Sequence, residues 1–582
     1  MGAVAACALA ASCPAAAKPP GFAPAVKLKD AAGGDEPRLA FTPDDRRFAT
    51  ANDANTGELE IYTSSDRGRS WARTSGTVPG QQGATIDTEI VATRTGRIVA
   101  TELDAVGLTF VTGYSDDGGK TWTASQGTSL PDIDRPWMAV GPDDATTHQP
   151  RVYLLFHNLA SGVAEHNMYV ATSTDGGASF GPPVPLTLPG SQAYSDLQCA
   201  DSGAPSSLNV NPKTGQIYAV WGTRTSPVGG CGAAVFGTVE ANVVGETRIW
   251  TATSKDGSVG SWNDSLATDA GNKTVSASFE PAAIDRAGTL YVAYAETAHP
   301  YPDFAGAAIK YVYAPANLAS WSAPKVVSPA GPVGHYDPSI VAAKPGELAL
   351  AYYTGVPRAP GKDPAWYVRL ALVHGATGAP RVEETQVSPI PAYAQSANAM
   401  GGSCSSGPEP GLENGFACDR ASDDWALGID SACRLTVVFP TVKNDAPGSD
   451  AGTFASTQRS GDTPCGTASA VGRDLARRIE IAHLGGHASR LRRQWRQHGP
   501  SLRAKTTRGT ASGAIATVYR LDGRRRVLIA RSTNGVSLGT HPRALRMRLA
   551  GDVDIVPGLY LSAVDATIAG VHVRRARTFK LR

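Results

Sequence analysis

Short apolar runs recur along the chain. Each is introduced by an acidic residue and followed by a polar turn and a second apolar run. The turn at residues 285–288 (DRAG) and the run at 290–294 (LYVAY) show the pattern clearly. Apolar stretches of this length, bounded by Gly, Asp and Asn, are typical of antiparallel β-strands joined by tight turns. Seven such strand openings predict seven units; they stand at residues 36–38, 87–89, 134–137, 199–201, 279–281, 336–338 and 423–425.

A second repeated motif joins a Ser, an Asp, glycines and an aromatic residue. It reads SSDRGRSW at 64–71, SDDGGKTW at 115–122, STDGGASF at 173–180, and SKDG at 254–257 in a fourth copy that ends at Trp262. Ser and Asp oxygens accept hydrogen bonds from turn amides, Gly permits positive φ, and the aromatic ring buries area beside the strand. The motif aspartates are Asp66, Asp117, Asp175 and Asp256. Their spacing suits one four-stranded unit plus variable loops.

These motifs are Asp boxes, and over roughly residues 35–465 the chain resembles the sialidase-like, BNR-repeat family of β-propellers. The resemblance implies that each box lies in the turn between the third and fourth strands of a blade, distant from the active site. The boxes therefore indicate architecture and carry no chemistry. Six blades would match the catalytic sialidases, but the opening at 423–425 favours seven.

Composition limits the domain organisation. The chain has 582 residues, 42% hydrophobic and 18% charged, with 63 Gly and 41 Pro. One hydrophobic core rarely grows beyond about 250–300 residues, which excludes a single small domain. From residue 473 onward, 21 Arg and 2 Lys face 6 acidic residues, whereas the rest of the chain is acidic. This asymmetry predicts a basic C-terminal domain after an acidic main domain.

The N-terminus and the cysteines predict export. Residues 1–17 are small and apolar and end in an A-x-A site, as in a secretory signal peptide; the missing basic region suggests that the true signal starts earlier. No later apolar run is long enough to cross a bilayer. Six of the eight cysteines follow the signal, which favours three disulfides over a metal site. Cys199 with Cys231 is the natural local pair, while Cys404, Cys418, Cys433 and Cys465 leave three connectivities open.

The chain therefore divides into a signal peptide (1–17), a linker (18–34), a propeller (35–465), a second linker (466–478) and a basic Ig-like β-sandwich (479–582). The sandwich is predicted from about 100 residues of short strands, including a hairpin with an Asp-Gly turn at 522–523. Its arginine runs at 524–526, 543–548 and 574–577 suit adhesion to an anionic wall polymer, or simple solubilising charge. Nucleic acid is not an expected partner, because no recognition motif is present.

Loops at the strand openings of a propeller converge on its central channel, so these residues are the site candidates. Acidic side chains dominate the openings: Glu36, Glu89, Asp134, Asp201, Glu280, Asp337 and Asp424. Arg38 and Arg135 interrupt this ring. The alternative is that the acids cap strand ends and bind neighbouring blades, since repetition in every blade is what a scaffold role predicts.

The sialidase resemblance implies an arginine triad for the substrate carboxylate, a Tyr nucleophile paired with Glu, and an Asp acid/base. Arg38 lies where the family carries an Arg-Ile-Pro motif, although the motif itself is absent. Glu280 and Tyr336 stand at successive openings and suit the Glu and Tyr pair, while Asp53 or Asp87 suits the acid/base. Few other arginines are available for the triad; Arg248 precedes an outer strand and Arg286 lies in a turn.

An acidic mouth would repel a carboxylate substrate, which favours a neutral glycan. Paired carboxylates would perform acid/base chemistry and aromatic residues would stack on sugar faces. The predicted substrate-binding residues are Asp134, Arg135, Trp137, Asp337, Asp424 and Trp425. No cofactor is expected, with a bound divalent cation as an open alternative.

The sequence thus predicts an all-β, secreted or envelope-associated protein: an Asp-box propeller of seven blades, with six as the alternative, followed by a small Ig-like sandwich. Its predicted function is glycan-directed, as an exo-glycosidase of the exo-α-sialidase type whose partner is an extracellular glycan or cell-wall polymer. The competing hypothesis is a non-catalytic binding or adhesion propeller, tethered to the envelope by its basic C-terminal domain. Both hypotheses rest on resemblance of fold.

Overall fold

The computed structural model describes most of the chain. The described residues are 18–29, 36–52, 58–81, 84–104, 109–158, 166–198, 205–223, 246–275, 279–299, 303–396, 405–406, 416–417, 425–466, 475–482, 484, 486–522, 525–532, 534–550, 555–568 and 571–582.

The first part of the chain forms successive antiparallel sheets, preceded by two short strands, β1 (Gly21–Phe22) and β2 (Val26–Lys29). Sheet 1 contains β3 (Leu39–Phe41), β4 (Arg47–Asn52), β5 (Leu59–Ser64) and β6 (Ala72–Arg73). Sheet 2 contains β7 (Ala84–Ala92), β8 (Ile98–Asp104), β9 (Thr109–Ser115) and β10 (Thr123–Ala124). Sheet 3 contains β11 (Ile133–Asp143), β12 (Pro150–Asn158), β13 (Met168–Ser173) and β14 (Val184–Pro185), and the short helix α1 (Gln192–Leu197) follows it.

The next sheets repeat the order. Sheet 4 contains β15 (Pro205–Val210), β16 (Ile217–Thr223), β17 (Arg248–Ser254) and β18 (Asn263–Asp269). Sheet 5 contains β19 (Thr274–Val275), β20 (Ala282–Ile284), β21 (Leu290–Thr297), β22 (Ala308–Ala314) and β23 (Lys325–Ser328). Sheet 6 contains β24 (His335–Ala342), β25 (Glu347–Val356), β26 (Ala365–His374), β27 (Arg381–Gln386) and β28 (Tyr393–Ala394). A small hairpin, β29 (Ser405–Ser406) and β30 (Phe416–Ala417), precedes sheet 7, which contains β31 (Ala426–Ile429), β32 (Leu435–Thr441) and β33 (Gly452–Ser460).

The sheets form a closed ring, because the first strand of each sheet contacts the first strand of the next. The inner contacts run β3–β7–β11–β15–β20–β24–β31 and return from β31 to β3. Strands inside such a ring are covered on both faces, so β8 and β16 are buried at every position and show no alternation of apolar and polar residues. The predicted β-propeller is thereby confirmed.

Sheet 7 is completed by the N-terminus. Both β1 and β2 pair antiparallel with β33, at the outer edge of the sheet. Residues 18–29, which belong to the segment 18–34 predicted as a linker, therefore contribute strands to the ring. Strands as short as β1 and β2 carry too little pattern to be found from sequence, since their position is set by pairing with a segment at the far end of the propeller sequence.

The four Asp boxes occupy the turns between the third and fourth strands of sheets 1 to 4, as the resemblance implies. In the third box, Asp175 accepts hydrogen bonds from the backbone N–H groups of Ala178 and Ser179 and from both serine hydroxyls, Ser173 and Ser179. The same four bonds recur around Asp66 and Asp117, and they lower the pKa of each of these carboxyls to about 2 despite the opposing effect of desolvation. The boxes therefore hold turns in place.

In the residues that the structure describes, the C-terminal domain contains two sheets and a helix. The first sheet contains β34 (Ile479–Ile481), β35 (Ser501–Thr506) and β39 (Arg543–Arg546). The second contains β36 (Ala511–Asp522), β37 (Arg525–Arg531), β38 (Val536–Leu538), β40 (Arg548–Leu549), β41 (Gly558–Ile568) and β42 (Val571–Leu581). One apolar core joins the sheets to helix α2 (Ala488–His498), which the sequence interpretation missed. The Ig-like class of this domain stays a prediction.

The C-terminal domain packs against one end of the ring. Ala343 and Ala432, in turns between the first and second strands of sheets 6 and 7, are buried in the same core as Leu475 and Ile479. A disulfide joins Cys433 to Cys465 at this junction. The other four predicted disulfide cysteines, Cys199, Cys231, Cys404 and Cys418, lie outside the described residues. Because antiparallel strands alternate in direction, this end is opposite to the one where the first strands begin.

Candidate active site at the mouth of the ring

The mouth is the end of the ring at which the first strands of the sheets begin, and four of these strands, β7, β11, β15 and β24, shift register there; two of the bulges share a further feature. The register of β11 shifts between Asp134 and Trp137, and that of β24 shifts between Tyr336 and Ser339. Each bulge contains a residue with positive φ before a proline: Arg135 has φ +60° and Asp337 has φ +49°. Proline cannot donate to the strand ladder, and bulges re-aim side chains beside functional sites.

The bulge in β11 directs Arg135 toward acids from two other sheets. Its Nη1 donates to Oε1 and Oε2 of Glu36, at 3.0 and 2.9 Å, and also contacts Asp87 Oδ1. Glu36 is 1% exposed and Asp87 is 7% exposed. The predicted acidic ring is therefore partly neutralised from within, by a guanidinium that ties sheets 1, 2 and 3 together.

A second arginine lies on an aromatic wall. The Arg38 guanidinium carbon lies 4.0 Å from the ring centre of Trp137, while its Nε donates to the Thr88 carbonyl at 3.1 Å and lies 4.0 Å from Glu89 Oε2. Trp137 in turn packs edge-on against Phe279, with ring centres 5.7 Å apart. The Trp137 Nε1–H donates to the Pro205 carbonyl at 2.6 Å, which fixes the plane of the indole ring.

Asp134 stands at the start of a chain of hydrogen-bonding groups. Its Oδ2 lies 3.5 Å from His157 Nε2, His157 Nδ1 lies 2.9 Å from His166 Nε2, and His166 Nδ1 lies 3.0 Å from the Leu197 carbonyl. Burial and the charge of His157 lower the pKa of His166 to about 3, so His166 is neutral and donates from Nδ1 to the carbonyl. His157 must then donate from Nδ1, so it can also donate to the Asp134 carboxylate only as an imidazolium, which carries a second proton on Nε2.

These neighbours determine the ionisation of Asp134. Burial would raise its pKa, but the interaction with His157 and the charge of Arg135 outweigh that effect and hold the pKa below its ordinary value. The Arg135 N–H also donates to Asp134 Oδ1 at 2.8 Å. Asp134 is therefore a carboxylate at neutral pH.

Glu280 has the opposite environment. It is fully buried at the opening of sheet 5, and its Oε2 accepts a 2.7 Å hydrogen bond from Ser206. Its side chain also pairs with that of Glu246, which enters from the connection between β16 and β17. Burial raises the pKa of Glu280 to about 6, and burial together with the charge of Glu280 raises that of Glu246 well above its ordinary value. The pair therefore retains a proton at neutral pH.

The pair fits closely against sheet 4. A Cβ on Gly222 would lie 1.8 Å from Oε2 of Glu246, so only glycine leaves space for this carboxyl group. Phe279, which precedes Glu280, also lies 5.0 Å from the Arg135 guanidinium carbon. In the chain, Glu280 follows Phe279 and Asp134 precedes Arg135, so both carboxyl groups adjoin members of one cluster of Arg135, Trp137 and Phe279.

The remaining predicted residues occupy sheets 6 and 7. Tyr336 is buried beside Phe304, with ring centres 5.3 Å apart. The Trp425 Nε1–H donates to the Asp337 carbonyl at 3.0 Å, and the Trp425 ring lies 5.0 Å from that of Tyr353. Glu280 is thus paired with Glu246, and Tyr336 lies at the opening of the neighbouring sheet 6.

The other candidate acids lie outside the described residues, and the other candidate arginines lie away from the mouth. Asp53, Asp201 and Asp424 lie outside the described residues. Arg248 binds Asp196 and Asp269 on the side of sheet 4, and Arg286 lies in the turn between β20 and β21 at the opposite end of the ring. In the described ranges, Arg38 and Arg135 are the arginines found in the mouth cluster, and both contact groups of the chain itself.

Four mouth residues were missed by the sequence interpretation. Glu246 lies in a long connection without strand periodicity, and His157 and His166 are separated by a connection that gives no motif. Phe279 precedes a predicted site residue, and its aromatic character next to an acid was the available signal. Within the described segments, no group of three or more His, Cys, Asp or Glu side chains is arranged to hold a metal ion.

Comparison with known proteins supports the architecture. Residues 46–226 match the family model of the BNR repeat-like domain, which confirms the resemblance inferred from the Asp boxes. No curated protein matches the chain. No helix among the residues that the structure describes has the length and apolar character required to cross a membrane.

Several solved structures are similar to the chain at low identity and low structural score. An α-L-arabinofuranosidase of Fusarium graminearum is 11% identical with a TM-score of 0.39, covering 75% of this chain and 98% of its own. A polysaccharide lyase of the ulvan lyase type is 11% identical with a TM-score of 0.42, covering 76% and 94%. A fungal alcohol oxidase in complex with copper is 13% identical with a TM-score of 0.42, covering 97% and 99%. Scores this low carry no conclusion about chemistry.

Proposed function

We propose that this BNR-repeat propeller is a glycan-directed glycoside hydrolase that acts on a neutral sugar at the mouth of the ring. One observation carries the proposal: two carboxyl environments with opposite pKa shifts flank an aromatic wall. Asp134 is held ionised, whereas the Glu280–Glu246 pair holds a proton. Carboxyl groups whose environments separate their pKa values are the acid and base partners of glycoside hydrolysis.

The roles follow from these environments. The Glu280–Glu246 pair would donate a proton to the leaving oxygen, and Asp134 would stabilise positive charge on the sugar ring or activate water. Trp137, which is partly exposed and is supported from behind by the buried Phe279, would supply the apolar surface on which a sugar face packs. The His157–His166 chain would orient Asp134 and keep it ionised.

Charge favours a neutral substrate. Arg38 and Arg135 are the basic side chains of the mouth cluster, and carboxylates or carbonyls of the chain contact both. A sialoside or uronide would have to displace these internal partners, at the cost of breaking the contact between Arg135 and the buried Glu36. The sialidase mechanism remains the alternative substrate hypothesis, with Tyr336 and Arg38 as its test positions.

We further propose that the protein acts outside the cell. The signal-like N-terminal segment supports export, and the Cys433–Cys465 disulfide suits an oxidising compartment. The non-catalytic alternative, a glycan-binding propeller, is favoured by the internal pairing of Arg135 with Glu36 and Asp87, because a scaffold role would produce such pairs.

The test is hydrolysis of a panel of neutral pentosides and hexosides, with a sialoside beside them, by purified residues 18–582. We expect turnover of a neutral glycoside, lowered at least about 100-fold in kcat by Glu280→Gln and by Asp134→Asn. Asp565→Asn, on the C-terminal domain, is the matched control and should retain full activity.

Other outcomes separate the alternatives. Turnover of the sialoside alone, lost in Tyr336→Phe and in Arg38→Ala, would replace the proposal with the sialidase mechanism. Full activity in both carboxyl variants would refute the assigned roles. A folded chain that is inactive on the whole panel but retains a glycan on an array would establish a binding propeller.

A further inference from the structure

A cavity lies between the C-terminal domain and the end of the ring opposite the mouth. Its volume is about 290 Å³, far above the roughly 10–15 Å³ that one water requires. Its lining residues are Arg286, Ser431, Cys433, Cys465, Leu475, Arg477, Arg478, Thr507 and Arg508. Four of these nine residues are arginines, and none is acidic.

The arginines come from both sides of the junction. Arg286 belongs to the turn between β20 and β21 of the propeller, whereas Arg477 and Arg478 precede β34 and Arg508 follows β35. Folding therefore brings together cations from distant parts of the sequence. The disulfide between Cys433 and Cys465 forms part of the wall between them.

Within the described residues, three of these four arginines, Arg286, Arg478 and Arg508, form no ion pair with a carboxylate. Arg286 Nη2 points at the disulfide, 3.4 Å from Cys465 Sγ and 3.8 Å from Cys433 Sγ. Arg478 Nη2 donates to the Ser431 carbonyl at 2.7 Å. In the described part of the chain, no carboxylate lies within 4.0 Å of the guanidinium of Arg286, Arg478 or Arg508, although Asp45 and Asp430 act on Arg478 from farther away. Burial and the charges of Arg508 and Arg286 lower the pKa of Arg478, as expected for cations that share one space.

We propose that this cavity is a binding site for a tetrahedral oxyanion, namely a phosphate or sulfate group. Guanidinium groups present planar forks of N–H donors that match such oxygens, and the three that form no ion pair among the described residues compensate a multiply charged group. The group would come from a free anion or from an ester on a saccharide. The site is independent of the mouth and of its proposed chemistry.

Bound anion would connect the two domains. Arg286 approaches from the propeller and Arg508 from the C-terminal domain, so a ligand that both contact is bound only when the domains are docked. By mass action, such a ligand stabilises the docked, folded state in proportion to its occupancy.

The test is calorimetric titration of the full chain with inorganic phosphate and with glucose 6-phosphate, at constant ionic strength maintained with NaCl. We expect saturable binding at one site. Arg286→Ala and Arg508→Ala should each raise Kd at least about ten-fold, and Arg508→Lys should recover part of the affinity. Arg496→Ala, an exposed arginine of α2, is the matched control and should leave Kd unchanged.

The two ligands identify the source of the group. Tighter binding of glucose 6-phosphate assigns the site to an ester on a saccharide, and tighter binding of inorganic phosphate assigns it to the free anion. Absence of saturable binding by both would overturn the proposal, as would equal loss in the Arg496→Ala control. Because Arg286 and Arg508 are exposed, their variants should fold, and circular dichroism checks this directly.

Discussion

Nη1 of Arg135 lies 2.9 Å from Oε2 of Glu36, although 99 positions separate the two residues in the chain. The pair connects the opening of sheet 3 to that of sheet 1, and Asp87 of sheet 2 joins it. An ion pair in which the acid is 1% exposed differs from a surface pair, because neither charge can return to water without opening the mouth.

Arg135→Ala should therefore destabilise the protein by about 3–5 kcal/mol, because it removes the cation that lies between the buried carboxylates of Glu36 and Asp87. The measurement is urea unfolding followed by tryptophan fluorescence. Lys362→Ala, which removes a mostly exposed pair with Asp445, is the control and should cost less than about 1 kcal/mol. Equal losses in the two variants would contradict the structural role of Arg135.

The Glu280–Glu246 pair predicts a pH dependence of stability. The folded-state pKa of Glu280 is raised from 4.5 to about 6, so the native state binds more protons than the unfolded state between these values. The contribution is complete below pH 4.5 and is lost as pH rises through 6; the loss is roughly 2 kcal/mol.

Glu280→Gln should flatten this part of the stability curve, since the amide has no proton to lose. Urea unfolding at pH 4.5 to 8 measures the slope. Asp565→Asn should leave the slope of the wild-type protein unchanged. A wild-type curve without a decline across this interval would show that the pair does not share a proton.

Gly222 offers a test of the close fit around Glu246. Gly222→Ala places a methyl group against the carboxyl group and should cost about 1–3 kcal/mol. In a double-mutant cycle, Glu246→Ala should relieve that cost, giving a coupling energy above about 1 kcal/mol. Gly539→Ala, where a Cβ meets no atom within 4 Å, is the control. Additive losses from the two substitutions would contradict the fit.

The Asp boxes should influence stability without affecting chemistry. Asp175→Ala removes four hydrogen bonds from a partly exposed turn, and after allowance for solvent we expect a loss of about 1–2 kcal/mol. Thr174→Ala changes an exposed neighbour in the same box and should be neutral. Because the turn lies at the end opposite the mouth, kcat on any substrate found should stay constant; a lower kcat at unchanged stability would contradict this separation.

Local signals in the sequence account for much of the fold. The Asp boxes mark the turns between third and fourth strands because the Ser, Asp and Gly pattern encodes their hydrogen bonds locally. Helix α2 was also detectable, since Ala488, Leu491 and Trp495 are spaced for one buried helical face and Gly499 ends it at positive φ. The sequence interpretation assigned only short strands to this basic domain and therefore overlooked the helix.

The site was less accessible from sequence. Asp134, Arg135, Trp137 and Glu280 were found because each stands at a strand opening. Their partners were not, because the pairing of Glu280 with Glu246 and of Asp134 with His157 arises between blades or between strands. The sequence interpretation also overestimated how strongly the acidic mouth repels an anionic substrate. The order of residues does not show that Arg135 lies between Glu36 and Asp87.

The closing of the ring by its N-terminus has a consequence for synthesis. Strands β1 and β2 leave the ribosome before the other strands of the ring, yet their partner β33 ends at Ser460. They therefore stay unpaired with β33 until all the intervening sheets have been synthesised. A similar interval separates Arg47 from Asp430, which form a buried ion pair. Ring closure is therefore a late step of folding, in which β1 and β2 pair only after β33 has been synthesised. A chain released before residue 452 would leave β1 and β2 without their partner strand.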